Sequence, residues 1–117
     1  MSNTRTKRAG QRGSAIRYNA GKPVLSMVFE APHALTGVAE VLEFGAEKYS
    51  RGNWREGMSY TWIIDSLLRH TLAFHNGEDL DAETGLPHVD HMLCNVLFLA
   101  ELYRIFPDGD DRVSTEG

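Results

Sequence analysis

Long apolar runs, cysteine pairs and an even spread of charge are all missing from this 117-residue sequence, and each absence narrows the reading. No stretch approaches the ~18 consecutive apolar residues that a membrane span requires, and the N-terminus has no apolar signal region. Cys94 is the only cysteine, which rules out an internal disulfide and with it a disulfide-stapled secreted scaffold. It stands among apolar residues, as core filler in a reducing compartment does, so the cytoplasm is the expected location. Acids are absent from residues 1–22, which carry Arg5, Lys7, Arg8, Arg12, Arg17 and Lys22. The remainder holds the other six basic residues and all 16 acids, so a basic arm precedes a strongly acidic body. Residues 2–14 lack aromatics and any apolar period, so an arm over 1–16 is expected to be a disordered, solubilising tail. Its second reading is a nucleic-acid contact.

The rest organises as one domain. The stretch "IRYNAGKPVLSMVFEAP" reads as extended or turn structure punctuated by Gly21 and Pro23. A first helix is expected from about Pro32 to Tyr49, with proline tolerated in its opening turn. The loop "SRGNWREGMS" follows. A second helix should run from about Tyr60 to His75 and stop near Gly77. After the acidic loop "GEDLDAETGLP", a third should run from about His88 to Phe106, ending before Pro107. No repeat and no strand pair is evident. The expected fold is all-α, a bundle of three main helices over residues 17–106, with a frayed tail over 107–117.

Helical spacing sorts the side chains at about 100° per residue. On the first helix Leu35, Val38, Leu42, Ala46 and Tyr49 share a core face, while Glu40, Glu43 and Glu47 line the other side. On the second, Ile63, Leu67 and Phe74 define an apolar face from which His70 projects, and Asp65 and Arg69 stand four apart elsewhere. The third is apolar nearly all round: Val89, Met92, Leu93, Val96, Leu97, Phe98, Leu99 and Leu102. A helix apolar all round must be covered all round. Two neighbours do not suffice, so a homo-oligomer, dimer or tetramer, is expected with this helix at the interface.

Three polar residues interrupt that third helix. His88, His91 and Asn95 recur at i, i+3 and i+7 on one narrow arc. Polar groups buried without partners cost kcal/mol each, so the trio is expected at the mouth of a buried region, facing something that satisfies it. Just before it, Glu78, Asp79, Asp81 and Glu83 crowd four carboxylates into six residues, which favours either full solvation or a bound cation. The D-x-D-x-D-G spacing of an EF-hand is missing. In "HVDH", Asp90 falls on the far side of the helix from His88 and His91, which argues against an HD-type phosphohydrolase. Upstream, "KYSRGNW" offers a cation, aromatics and an amide, a mixture suited to a nucleotide.

The stretches "RYNAGKP", "EFGAEKYSRGNWREG" and "LLRHTLAFHNGEDLDAETGLPHVDH" resemble the phage-associated dATP/dGTP diphosphohydrolases, MazG-like nucleotide pyrophosphohydrolases of the MazZ type. The resemblance covers roughly residues 16–103. It implies an all-α, oligomeric, metal-dependent enzyme that cleaves a purine deoxynucleoside triphosphate to the monophosphate and pyrophosphate. In some phages the dGMP so produced feeds synthesis of 2-aminoadenine nucleotides. MazG enzymes carry a glutamate-rich helix and, further on, E-x-x-D opening another. Two registers stay open: "HVDH" at the E-x-x-D position with His70 in the glutamate-rich helix, or Glu40, Glu43 and Glu47 on that helix and Asp65 on the second.

Cleavage between the α- and β-phosphates asks mainly for cations and a positioned water. Glu43, Glu47, Glu78 and Asp79 are the expected metal-side groups for Mg²⁺, while nearby imidazoles shift preference toward Mn²⁺. His70, His88 and His91 are the expected catalytic residues, ligating the metal or orienting the water. Lys48, Arg51 and Arg69 would hold phosphates, with Tyr49, Asn53, Trp54 and Asn95 completing the substrate site. The alternative is a non-catalytic oligomeric module that binds nucleic acid through the basic arm, or a nucleotide-binding regulator with a dead site.

Overall fold

A computed structural model describes residues 13–114 of the chain. Three α-helices carry the fold: α1 (Pro32–Lys48), α2 (Tyr60–His75) and α3 (His88–Ile105). Short 3₁₀ turns occupy Leu25–Glu30, Asn53–Glu56 and Pro107–Gly109, and no strand is formed among the described residues. The all-α class and the three main helices are therefore as expected. The basic arm falls mostly on residues 1–12, outside the described residues.

Local chemistry sets the helix ends. Pro32 opens α1, where its missing N–H costs nothing and its fixed φ suits the first turn. At the other end of α2, the Gly77 N–H donates to the Phe74 carbonyl and the Glu78 N–H to the Ala73 carbonyl. This is a Schellman closure around Gly77, whose φ of 97° favours glycine. It fixes the direction in which Glu78 leaves the helix. The start of α2 is capped from a distance: the carboxylate of Asp111 accepts from the Thr61 N–H at 3.0 Å and from the hydroxyls of Thr61 and Ser59. An acid at a helix N-terminus meets the unsatisfied donors and the positive end of the dipole. Residues 107–112, expected to fray, are thus turned back onto α2.

Helices α2 and α3 pack antiparallel, with Tyr60 opposite Leu102 and His70 opposite His88. Tyr60, Ile63 and Leu102 form the buried core, flanked by Trp54, Met58, Phe98, Leu99 and Phe106. The Tyr60 hydroxyl lies 3.1 and 3.0 Å from the carbonyls of Leu102 and Phe106, satisfying the end of α3. Tyr49, expected on the core face of α1, is exposed because the helix stops at Lys48 and Tyr49 takes non-helical angles. Phe74 is likewise partly exposed.

Helix α1 meets α3 through a close approach of Gly37 to Asp90, which explains why Asp90 points away from the histidines. A Cβ added at Gly37 would stand 2.4 Å from the Asp90 Cγ. Alanine normally stabilises a helix interior by about 1 kcal/mol over glycine. Here Gly37→Ala should forfeit that gain of about 1 kcal/mol, because the Asp90 carboxylate must turn aside to admit the Cβ. In an Asp90→Ala background the same change should recover its helix-propensity gain. Urea unfolding of the four proteins reads the coupling, and Gly37→Ala stabilising both backgrounds equally would refute the contact.

Candidate functional site

The site is built where the α2–α3 loop folds back on the facing histidines. Within that loop the Asp81 N–H donates to the Leu86 carbonyl at 2.8 Å, and the His88 N–H to the Asp79 carbonyl at 2.8 Å. The turn between is tied by Asp81 itself, whose Oδ2 accepts the Thr84 N–H at 2.9 Å. Such Asx-type bonding is a local preference of aspartate in turns. The loop is consequently a compact cover lying against the helices.

Under this cover the three histidines meet. His70 Nδ1 and His88 Nδ1 are 2.8 Å apart. The His70 and His91 rings are stacked, with centroids 4.4 Å apart and planes 1° from parallel. Glu78 Oε2 lies 2.6 Å from His88 Nε2, pairing an imidazole only 4% exposed with a carboxylate 55% exposed. Thr84 Oγ1 accepts the Leu86 N–H and lies 2.7 Å from His91 Nε2. Asp81 Oδ1 stands 4.0 Å from His70 Nδ1. Ligand atoms of His70, Asp81 and His88 all lie within 4.8 Å of one another. Donors each about 2.1 Å from a shared cation would be about 3.0–3.5 Å apart, so a small inward shift suffices. Two imidazole nitrogens and a carboxylate oxygen are a donor set that fits a divalent cation.

The electrostatics favour uncharged rings. Burial, then the neighbouring His91, lowers the His70 pKa, and burial likewise lowers that of His91. For Asp81 burial alone would raise the pKa, but hydrogen bonds from the Thr84 backbone and side chain outweigh it, and the net shift is downward. The site therefore presents a carboxylate held toward its ionised form beside His70 and His91 rings held toward their neutral form, the states that metal ligands and proton acceptors both need. Cys94 takes no part; burial pushes its thiol up to about 12.

Comparison with known proteins gives the chain a family. The family model for "dATP/dGTP diphosphohydrolase, N-terminal" matches residues 12–112. The chain belongs to the dATP/dGTP diphosphohydrolase family. It is 35% identical over 99 residues to a dATP/dGTP diphosphohydrolase of Salmonella phage PMBT28, a match covering 85% of this chain and 33% of that protein. The chain thus spans about a third of the length, 33%, of the curated relative it matches. No solved structure matches it.

The remaining expected site residues are distributed unevenly around the histidine cluster. Lys48 approaches the loop through an ion pair with Glu83 at 3.5 Å and lies over the Tyr49 ring. Arg51, Asn53 and Arg69 are exposed. Trp54 stacks on Phe98 with centroids 4.7 Å apart, so its ring serves the core rather than an open base site. Asn95 is buried, with Nδ2 donating to Ser66 Oγ and to the His91 carbonyl, which holds α2 and α3 in register. Glu43 and Glu47 are exposed on α1, outside the group where ligand atoms converge. Asp79 contributes its backbone carbonyl to His88, while Asp81 supplies the carboxylate in that group. The signal for Asp81 was the "DAET" turn, which commits it to folding back; counting acids along the loop does not separate it from Asp79.

Proposed function

We propose that the chain hydrolyses a purine deoxynucleoside triphosphate, dGTP in preference to dATP, to the monophosphate and pyrophosphate, with a divalent cation held at His70, Asp81 and His88. The observation that carries this reading is the meeting of three histidines and two acids beneath one loop, in a chain of this family. When bound, such a cation supplies positive charge to the polyphosphate and to the departing pyrophosphate. The chain's own groups do the rest. Lys48, beside the loop, draws a phosphate oxygen toward the site, exchanging its exposed ion pair with Glu83 for substrate. Exposed Tyr49 offers a ring face to the base. His91, kept neutral by burial, accepts the proton from a water attacking the α-phosphorus. The bond from that phosphorus to the bridging oxygen then breaks, and pyrophosphate leaves with the electron pair. In a phage that uses 2-aminoadenine, the dGMP released would feed its synthesis.

We further infer that the chain works as a homo-oligomer assembled through α3, because the exposed residues of that helix include Val89, Leu93, Val96 and Tyr103. Incubation with dGTP and dATP in the presence of Mn²⁺ or Mg²⁺, followed by product separation, tests the activity. Monophosphate and pyrophosphate are expected. Orthophosphate with a diphosphate, or no turnover, would sink the reading and leave a nucleotide-binding regulator. A salt-dependent DNA shift lost on deleting residues 1–16, without turnover, would favour the nucleic-acid module instead.

A further inference from the structure

We propose that His70, Asp81 and His88 form a two-histidine, one-carboxylate site that selects an imidazole-accepting first-row transition dication (the class of Mn²⁺, Fe²⁺ and Co²⁺) over Mg²⁺, and that Glu78 is the positioning residue that makes His88 a ligand. The inference rests on the metal-dependent reading above, but it concerns affinity and is measured without nucleotide.

Tautomer logic carries it. A carboxylate only accepts hydrogen bonds, so Glu78 at 2.6 Å fixes a proton on His88 Nε2. With Nε2 so engaged, Nδ1 is the nitrogen left for a ligand; it is turned toward His70 Nδ1 at 2.8 Å, and a cation between the two rings would take the place of the one proton that contact shares. A carboxylate bonded to the far nitrogen of an imidazole is the arrangement that orients metal-ligating histidines and raises their basicity. Thr84 engages Asp81 through Oδ2, so Oδ1 is the oxygen turned toward His70. The three donors come from three separately anchored places: the last turns of α2, the tied turn of the loop, and the first residue of α3.

The same inventory is poor for Mg²⁺, a hard ion that seeks oxygen ligands in near-octahedral array. Of the four loop acids, Glu78 is engaged by His88, Glu83 by Lys48, and Asp79 stands outside the converging group. One carboxylate oxygen remains in the converging group, against two nitrogens that suit transition dications. Glu78 is itself well placed to act as a fixed orienter. The Schellman closure pins its backbone one residue beyond Gly77, so its carboxylate reaches His88 without ordering a free loop.

The test titrates the chelator-stripped 117-residue chain with MnCl₂, CoCl₂ and MgCl₂ by calorimetry, and follows Co²⁺ by its visible absorption. Mn²⁺ and Co²⁺ are expected to bind one per chain, about 100-fold or more tighter than Mg²⁺. Asp81→Asn and His70→Ala should abolish the Co²⁺ band. Glu78→Ala should weaken Co²⁺ binding about 10–100-fold and shift the band, while Glu78→Gln, which keeps an acceptor for Nε2–H, should restore most of the affinity. Circular dichroism confirms that each variant keeps its helices. Mg²⁺ binding as tightly as Mn²⁺, or a folded Glu78→Ala variant with unchanged Co²⁺ affinity and spectrum, would overturn the proposal. Metal binding as expected without cleavage of dGTP or dATP would fell the proposed activity and leave the site standing. Cleavage in Mg²⁺ alone with no Co²⁺ band would do the reverse.

Discussion

His88→Ala is expected to lower the proposed turnover of dGTP and dATP by at least about 100-fold, more than loss of an orienting partner alone costs, while the three helices remain folded. The size of the effect follows from how many roles pass through this one ring. It stands at the first position of α3, it is buried, and its two nitrogens face Glu78 and His70. Alanine removes a proposed ligand and at once strands Glu78 and unpairs His70. The fold should survive, because the main-chain bond from the His88 N–H to the Asp79 carbonyl does not need the side chain, and Glu78 is exposed enough for water to replace its partner. His75→Ala is the matched control: it too lies on a helix end but is exposed and outside the cluster. Steady-state kinetics with product analysis, alongside thermal melts, separates the two. A folded His88→Ala enzyme retaining more than a tenth of the parent rate would remove the ring from the chemistry.

How much of this was legible in the sequence depends on the range of the interaction. Helix ends depend on local chemistry, and Pro32, Gly77 and Pro107 placed all three helices within a residue of where they lie. The histidine alignment on α3 was equally local, since helical spacing alone puts His88, His91 and Asn95 on one arc. What spacing cannot give is the partner across the gap. That His70 would meet His88 depends on the antiparallel register of α2 and α3, set by Tyr60 and Leu102 at the opposite end of the bundle. The choice among four loop acids depended on a turn, and turns are decided by hydrogen bonds such as that from the Thr84 N–H to Asp81. Trp54 shows the converse. Its neighbours in sequence suit a nucleotide, yet Phe98, far along the chain, claims its ring face. Asp111 was invisible for the same reason: its helix-capping role needs the tail brought back to Ser59 and Thr61.

The second large effect concerns the proposed assembly: Leu93→Glu combined with Val96→Glu is expected to convert the proposed oligomer into folded monomers. Helix α3 has three arcs of differing fate. One, with Asn95, Phe98 and Leu102, faces α2, and another, with Asp90, faces α1. The third carries Val89, Leu93, Val96, Ala100 and Tyr103, spaced four, three, four and three apart, all exposed in the single chain. That is the spacing of a coiled-coil seam, and it is apolar throughout. Val96, Ala100 and Tyr103 of this seam, with Ile64, Leu99 and the charged Arg112, also line a groove of about 270 Å³. Leu68 and Leu72 continue the exposed apolar character along α2. In the proposed assembly a second copy related by a two-fold axis would offer the same seam in return, so one patch would satisfy both chains. Two glutamates on each seam would bring four like charges into the contact, at several kcal/mol, enough to raise the dissociation constant about 1,000-fold or more. Because both positions face outward, the helices of each chain should keep their circular dichroism. Sedimentation velocity across a concentration series reads the outcome. A parent chain that sediments as a monomer at every concentration, or a double variant that keeps the parent's mass, would show that this arc of α3 is not where the copies meet.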